Sequence, residues 1–182
     1  MLNAVRTLGV SMLQLGLIMC SACGGGSGTT SDAGSNLSDA ANDPSDLQFC
    51  IQETNRYRAT LGKAALNESP ALEAFAATGA EQDTHYEQDT HYEQDTHSMM
   101  AHGHFRATSG GGIAFAENAC PSFLGWTVRS TIHDAVAECI AAFWSEGPGG
   151  GHYENMTGAY QTLGCGIFVE NRGITIIQDY GH

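Results

Sequence analysis

Phe143-Trp144-Ser145-Glu146-Gly147-Pro148-Gly149-Gly150-Gly151-His152-Tyr153-Glu154-Asn155 ends one helix and opens the next element across a glycine-proline turn. Glycine is favoured just past a helix end, and proline can neither donate its backbone hydrogen bond nor continue the coil. Glu146 therefore stands at a helix terminus and His152 begins the next element, and the short span between them can turn both toward one cleft. The helix upstream is the clearest in the chain. Thr131 offers an N-cap hydroxyl with Asp134 three residues on, and Ile132, Ala135, Val136, Cys139, Ile140 and Phe143 form one apolar stripe. Downstream, Leu163, Cys165, Ile167 and Val169 alternate as a strand. Glu170-Asn171-Arg172-Gly173 is a turn, and Ile174 to Tyr180 return as the antiparallel partner.

The folded part is expected to begin near Leu47. Leu47, Cys50, Ile51, Thr54, the stem of Arg58 and Leu61 fall at helical spacing and stop near Gly62. Ser69-Pro70 is a cap followed by proline at the first helical position, and Leu72, Phe75, Ala76 and Gly79 continue one face. Ile113-Ala114-Phe115-Ala116-Glu117 alternates as a short strand, with Ile113, Phe115 and Glu117 on one side. Helices first and a terminal hairpin last predict an α+β domain, a three-layer α-β-α sandwich around a small antiparallel sheet, over residues 47–182.

Inside that domain lies a tandem hexapeptide. Glu81-Gln82-Asp83-Thr84-His85-Tyr86 recurs from Glu87 to Tyr92 and again from Glu93, with Ser98 in place of tyrosine. A six-residue step advances a helix by ~600°, so His85, His91 and His97 would point three ways, about 120° apart. The acidic repeat at 81–98 thus reads as a duplication lengthening an exposed helix or loop, with weak cation binding as the alternative.

Composition bounds the partners. The formal net charge is −13 with seven Lys and Arg among 182 residues, which excludes nucleic acid as a partner. Residues 1–22 read as a signal peptide of lipoprotein type: Arg6, then an apolar run from Leu8 to Met19, too short to span a bilayer. Cys23, in Cys20-Ser21-Ala22-Cys23, is the expected lipidation site and the link to a membrane, although Cys20 stands where leucine is usual. A redox Cys20/Cys23 pair and simple secretion are the alternatives. Residues 23–46, rich in Gly, Ser, Asp and Asn, read as a flexible tether. The expected location is the bacterial cell envelope, lipid-anchored at the outer membrane or cell surface, or else secreted. Cys50, Cys120, Cys139 and Cys165 then form an even set in an exported domain, read as two disulfides with three possible pairings.

The polar candidates converge on one idea. Glu146 and His152, with Glu117 and one of the pair His102/His104, supply two carboxylates and two imidazoles able to hold a divalent cation, zinc above all, or to polarise a water. Either glutamate would serve as the general base of a metal-assisted hydrolase of peptides or esters. The competing bland reading is a hydrogen-bonded tetrad that locks the cleft without metal in a structural envelope protein. No His-Glu-x-x-His, Gly-x-Ser-x-Gly or phosphate-loop motif is present to fix a reaction.

The same residues resemble a known family. Asn55-Arg56-Tyr57-Arg58 with Gly62, Leu66, Leu72 and Ala76 look like the opening helices of the CAP (cysteine-rich secretory, antigen 5, pathogenesis-related 1) or SCP-like domain. Ala116-Glu117-Asn118 is similar to its Gly-Glu-Asn element, with alanine for glycine. Trp144-x-Glu146, Gly151-His152-Tyr153-x-Asn155-Met156 and Leu163-Gly164-Cys165-Gly166 match its later signatures in order. The resemblance runs from about Leu47 to Tyr180. It implies an exported α-β-α sandwich with a cleft floored by two histidines and two glutamates, carried onto His104 (or His102), Glu117, Glu146 and His152. Such a cleft would bind a divalent ion and a small ligand, lipid or peptide.

Overall fold

The computed structural model describes residues 44–89 and 101–182. The expected signal peptide, Cys23, most of the tether and the later part of the repeat lie outside the described residues. In chain order the elements are α1 (Pro44–Ala59), β1 (Asn67–Glu68), α2 (Pro70–Asp89), α3 (Gly103–Thr108), β2 (Ala116–Cys120), α4 (Ile132–Ser145), α5 (Gly151–Thr157), β3 (Thr162–Glu170) and β4 (Gly173–Gly181). Short 3-10 turns lie at Gly110–Gly112 and Ser122–Leu124. Helix α1 starts three residues before the expected Leu47, so the end of the expected tether already belongs to the domain. Among the described residues, no helix is long and apolar enough to cross a membrane.

The sheet runs in the order β1-β3-β4-β2. β3, β4 and β2 are antiparallel neighbours as expected, but the two-residue β1 joins β3 in parallel, which makes the sheet mixed. The hairpin turn places Asn171 and Arg172 in the left-handed region, at φ 48 and 69. Two successive left-handed residues match the twist of a tight antiparallel hairpin.

Alternation sorts each strand into two faces. Leu163, Cys165, Ile167 and Val169 of β3, with Ile174, Ile176 and Tyr180 of β4, pack against Cys50 and Ile51 of α1 and the full apolar stripe of α4. The opposite face carries Ala119 and Ile177, which pack under Ala76 and Ala80 of α2, with Phe168 beside them. Helices therefore cover both sides, and the three-layer α-β-α sandwich stands. Helix α4 obeys its sequence closely: the Thr131 hydroxyl accepts the Asp134 N–H at 3.0 Å, and all six residues of its stripe are buried.

One local expectation is corrected. Strand β2 begins at Ala116, and Ile113 and Phe115 are not inward-facing partners of Glu117 but stand 40% and 61% exposed. The left-handed Gly110, Gly111 and Gly112 keep the chain turning until just before that strand. The two copies expected to lengthen an exposed element lie mostly outside the described residues, which hold the first copy. Helix α2 carries it against the sheet, where Asp83 and Thr84 are buried and the Thr84 hydroxyl meets that of Thr175 at 2.6 Å. Arg56 makes an exposed pair with Glu53, whereas the buried guanidinium belongs to Arg58, which donates to the carbonyls of Ala64, Met156 and Gly158.

The four cysteines form two disulfides, Cys50–Cys165 between α1 and β3 and Cys120–Cys139 between β2 and α4.

Candidate functional site

Four segments meet beside the edge strand β2. Glu117 comes from β2 itself, His102 from the residue before α3, Glu146 from the end of α4 and His152 from the first turn of α5. His102 Nδ1 lies 2.7 Å from Glu117 Oε1, and His152 Nδ1 lies 2.5 Å from Glu146 Oε1. The two rings are 6.4 Å apart between centroids. The second Glu146 oxygen accepts the His152 backbone N–H at 3.0 Å, so one carboxylate fixes both the ring and the start of its helix. Across the Gly-Pro turn, Gly149 N–H donates to Glu154 at 2.9 Å.

Of the two candidates for the first imidazole, His102 is the one hydrogen-bonded to Glu117. The His104 ring lies against Phe75, 4.5 Å between centroids, and its buried Nδ1 has no hydrogen-bond partner. A Cβ on Gly79 of α2 would meet His104 Nδ1 at 3.3 Å and Glu117 Oε2 at 3.9 Å, so His104 also lies near that acid. Both carboxylates point to imidazoles. Each faces the Nδ1 of its own histidine, standing behind the imidazoles as orienting groups. Among the described residues, no three His, Cys, Asp or Glu side chains are grouped so as to hold a metal ion. The four side chains are arranged as two imidazoles, each backed by an acid.

A buried polar network supports this arrangement. Asn118 donates to the His152 carbonyl at 3.2 Å and to the Tyr180 hydroxyl at 3.2 Å, while Asn155 donates to Asn118 Oδ1 and to the Glu117 carbonyl. Tyr180 and Gln178 carry the chain on to Thr54 of α1. Strand β2 and helix α5 are thus joined through the Glu117 carbonyl and Asn118, which holds the two halves of the cleft at a set distance.

Behind Glu117 lie groups that sequence reading missed. The register sets Asp179 of β4 directly opposite it, and both Asp179 oxygens and Glu117 Oε2 are buried without hydrogen-bond partners. Burial, then the neighbouring Asp83, pushes Glu117 up to about 8; burial, then Glu117, pushes Asp179 up to about 9. Like charges directly opposite on a sheet repel, so the pair keeps a proton at neutral pH. Burial, followed by the Arg106 guanidinium, holds His102 below the usual imidazole range, which leaves its ring neutral at pH 7. At Glu146 burial acts upward, but its bonds to His152 outweigh it and the carboxyl is lowered. The available sequence signal was the run Gln178-Asp179-Tyr180, which puts polar groups on both faces of a covered strand.

The acid pair has a consequence for stability. A carboxyl whose pKa is higher in the folded state binds a proton that the unfolded chain has already released, so folding weakens as pH rises above the unfolded value. With a chelator present, unfolding free energy is expected to fall between about pH 4 and pH 8, by roughly 1 kcal/mol per pH unit for one retained proton. Asp179→Asn should flatten that slope. Urea titrations at several pH values measure it, and a wild-type profile that rises with pH over this window would contradict it.

The model of the cysteine-rich secretory protein family matches residues 51–180. No curated protein sequence matches the chain. Among solved structures, the chain is similar to a cysteine-rich secretory protein from Staphylococcus aureus subsp. aureus Mu50, at 15% identity and a TM-score of 0.42, over 76% of this chain and 39% of that one. It is also similar to an extracellular protein containing an SCP domain from Bacillus anthracis str. Ames, at 15% identity and a TM-score of 0.44, over 77% and 41%. The chain thus spans about two fifths of the length of these proteins.

Proposed function

The chain belongs to the cysteine-rich secretory protein (CAP) family, and we propose that it is an exported binding domain whose cleft holds a divalent cation between His102 and His152 and takes a small ligand, lipid or peptide over it. The observation that carries this reading is the pair of imidazoles 6.4 Å apart, each with Nδ1 on its own glutamate. A carboxylate on one ring nitrogen fixes the tautomer and aims the other nitrogen as a donor, the arrangement common behind histidine-bound metals. The donor set fits zinc on the imidazole side, and oxygen atoms of ligand or water would have to complete it. When bound, such an ion supplies positive charge and open coordination positions. His102 and His152 would hold it, Glu117 and Glu146 would orient them, and the network through Asn118 and Asn155 would keep their separation.

Export is supported by the two disulfides, which belong to oxidising compartments. Attachment to the envelope through Cys23 remains part of the proposal. The hydrolase reading draws less support, because both carboxylates that would act as bases already face imidazole Nδ1 atoms.

Calorimetric titration with zinc tests the reading. Wild type should bind one ion per chain, and His102→Ala and His152→Ala should each lose it. Glu117→Gln should weaken binding about tenfold or more through the misdirected ring. His104→Ala should bind as wild type does. Equal binding by wild type and both site variants would leave the hydrogen-bonded tetrad as the better account.

A further inference from the structure

We propose that Asp83, in the first of three hexapeptide copies that share Glu-Gln-Asp-Thr-His, is the positioning residue that holds His102 on Glu117. The inference rests on the cleft reading and deepens it.

His102 occupies the N-cap position of α3 with left-handed backbone, φ 68 and ψ 21, and its side chain makes no cap hydrogen bond. A non-glycine residue in that region is strained and persists where its surroundings impose it. The ring cannot cap its own helix because it is turned to Glu117. The missing acceptor arrives from another element: Asp83 of α2, buried, accepts the His104 backbone N–H at 2.8 Å through Oδ1. The acid therefore grips the chain two residues beyond the histidine and pins the start of α3 to α2.

Gly103 shows how tight this grip is. A Cβ at that position would meet Asp83 Oδ1 at 3.0 Å, while its own backbone lies outside the left-handed region. An alanine there would press on the acid, the nearest atom to the added carbon. Neighbouring side chains of the same copy are anchored too, with Thr84 on Thr175 and His85 edge-on to Phe168.

The experiment uses the full chain and two readouts. The first is the hydrogen-bonded Nδ1–H signal of His102 in proton–nitrogen NMR of the metal-free protein; the second is zinc affinity. Asp83→Ala should abolish the His102 signal, leave that of His152, and weaken zinc about tenfold. Asp83→Asn, which keeps an acceptor oxygen, should restore the signal and bind within about threefold of wild type. Gly103→Ala, which leaves the acid in place but crowds it, should broaden the same signal and weaken zinc, and it serves as the folded comparison if Asp83→Ala melts early. An intact His102 signal in both Asp83→Ala and Gly103→Ala would overturn the proposal. If wild type binds no zinc, the cation reading fails while the NMR signal still decides the role of Asp83.

Discussion

Replacing Gly166 by alanine is expected to cost about 3 kcal/mol or more in unfolding free energy, and replacing it by valine is expected to prevent folding. On β3, Gly164 and Gly166 face α2. A Cβ on Gly166 would fall inside contact distance of the backbone of Ala76 and Ala77, and one on Gly164 would strike that of Leu72 and Glu73. The obstruction is main chain, not the tip of a side chain that can swing aside. To relieve it, a helix of twenty residues would have to lift from the sheet, losing its contacts with Ala119, Ile177 and Phe168. The same displacement would carry Asp83 away from α3. Urea unfolding of Gly164→Ala and Gly166→Ala measures the cost, and a loss below about 1 kcal/mol would show that α2 is free to move.

That close approach also marks the limit of pattern reading. Alternation in Leu163, Cys165, Ile167 and Val169 identified the strand and its inward face correctly, because each of those positions carries a branched or sulfur side chain with one place to go. The opposite face, Gly164 and Gly166, carries no hydrophobic signal although a helix lies on it. Glycine inside a strand was the available sign of a neighbouring backbone. The same contrast holds in the site. Glu146 and His152 were readable together because six residues and a glycine-proline turn separate them, so local chemistry nearly determines their meeting. Glu117 and His102 meet only through tertiary structure. The choice between His102 and His104 depends on Phe75 and Asp83, both on another helix, and spacing along the chain says nothing about either. Asp179 was missed for a related reason: the strand was read by its apolar residues, and the partner across the sheet is fixed by register, which is a property of two strands. For the cysteines, the even count established two bridges, while their pairing needed the faces of β2, β3, α1 and α4.

The pairing now separates two kinds of disulfide effect. Cys50–Cys165 closes a span of 115 residues, and Cys120–Cys139 a span of 19. In the chain-entropy account the longer link restrains the unfolded state by about 5 kcal/mol and the shorter by about 3. The double replacement Cys50→Ala/Cys165→Ala is therefore expected to lose the larger share of stability, about 4 kcal/mol once the unfolded chain's own compactness is allowed for. It would also leave Gln178 Nε2, which contacts Cys50 Sγ at 3.6 Å, to rely on Thr54 alone. The shorter link acts closer to the cleft. Cys120 ends the strand that carries Glu117, and Cys139 sits two turns before Glu146 on α4, so this bridge ties together the elements bearing the two carboxylates. Cys120→Ala/Cys139→Ala should accordingly lose less stability but more zinc affinity than the other pair. Denaturant titration and calorimetry on both variants measure the two effects. If Cys50→Ala/Cys165→Ala weakened zinc binding more at equal folded fraction, the separation of the glutamates would have to be set through α1 and the Thr54–Gln178–Tyr180–Asn118 chain, with the β2–α4 bridge acting on stability alone.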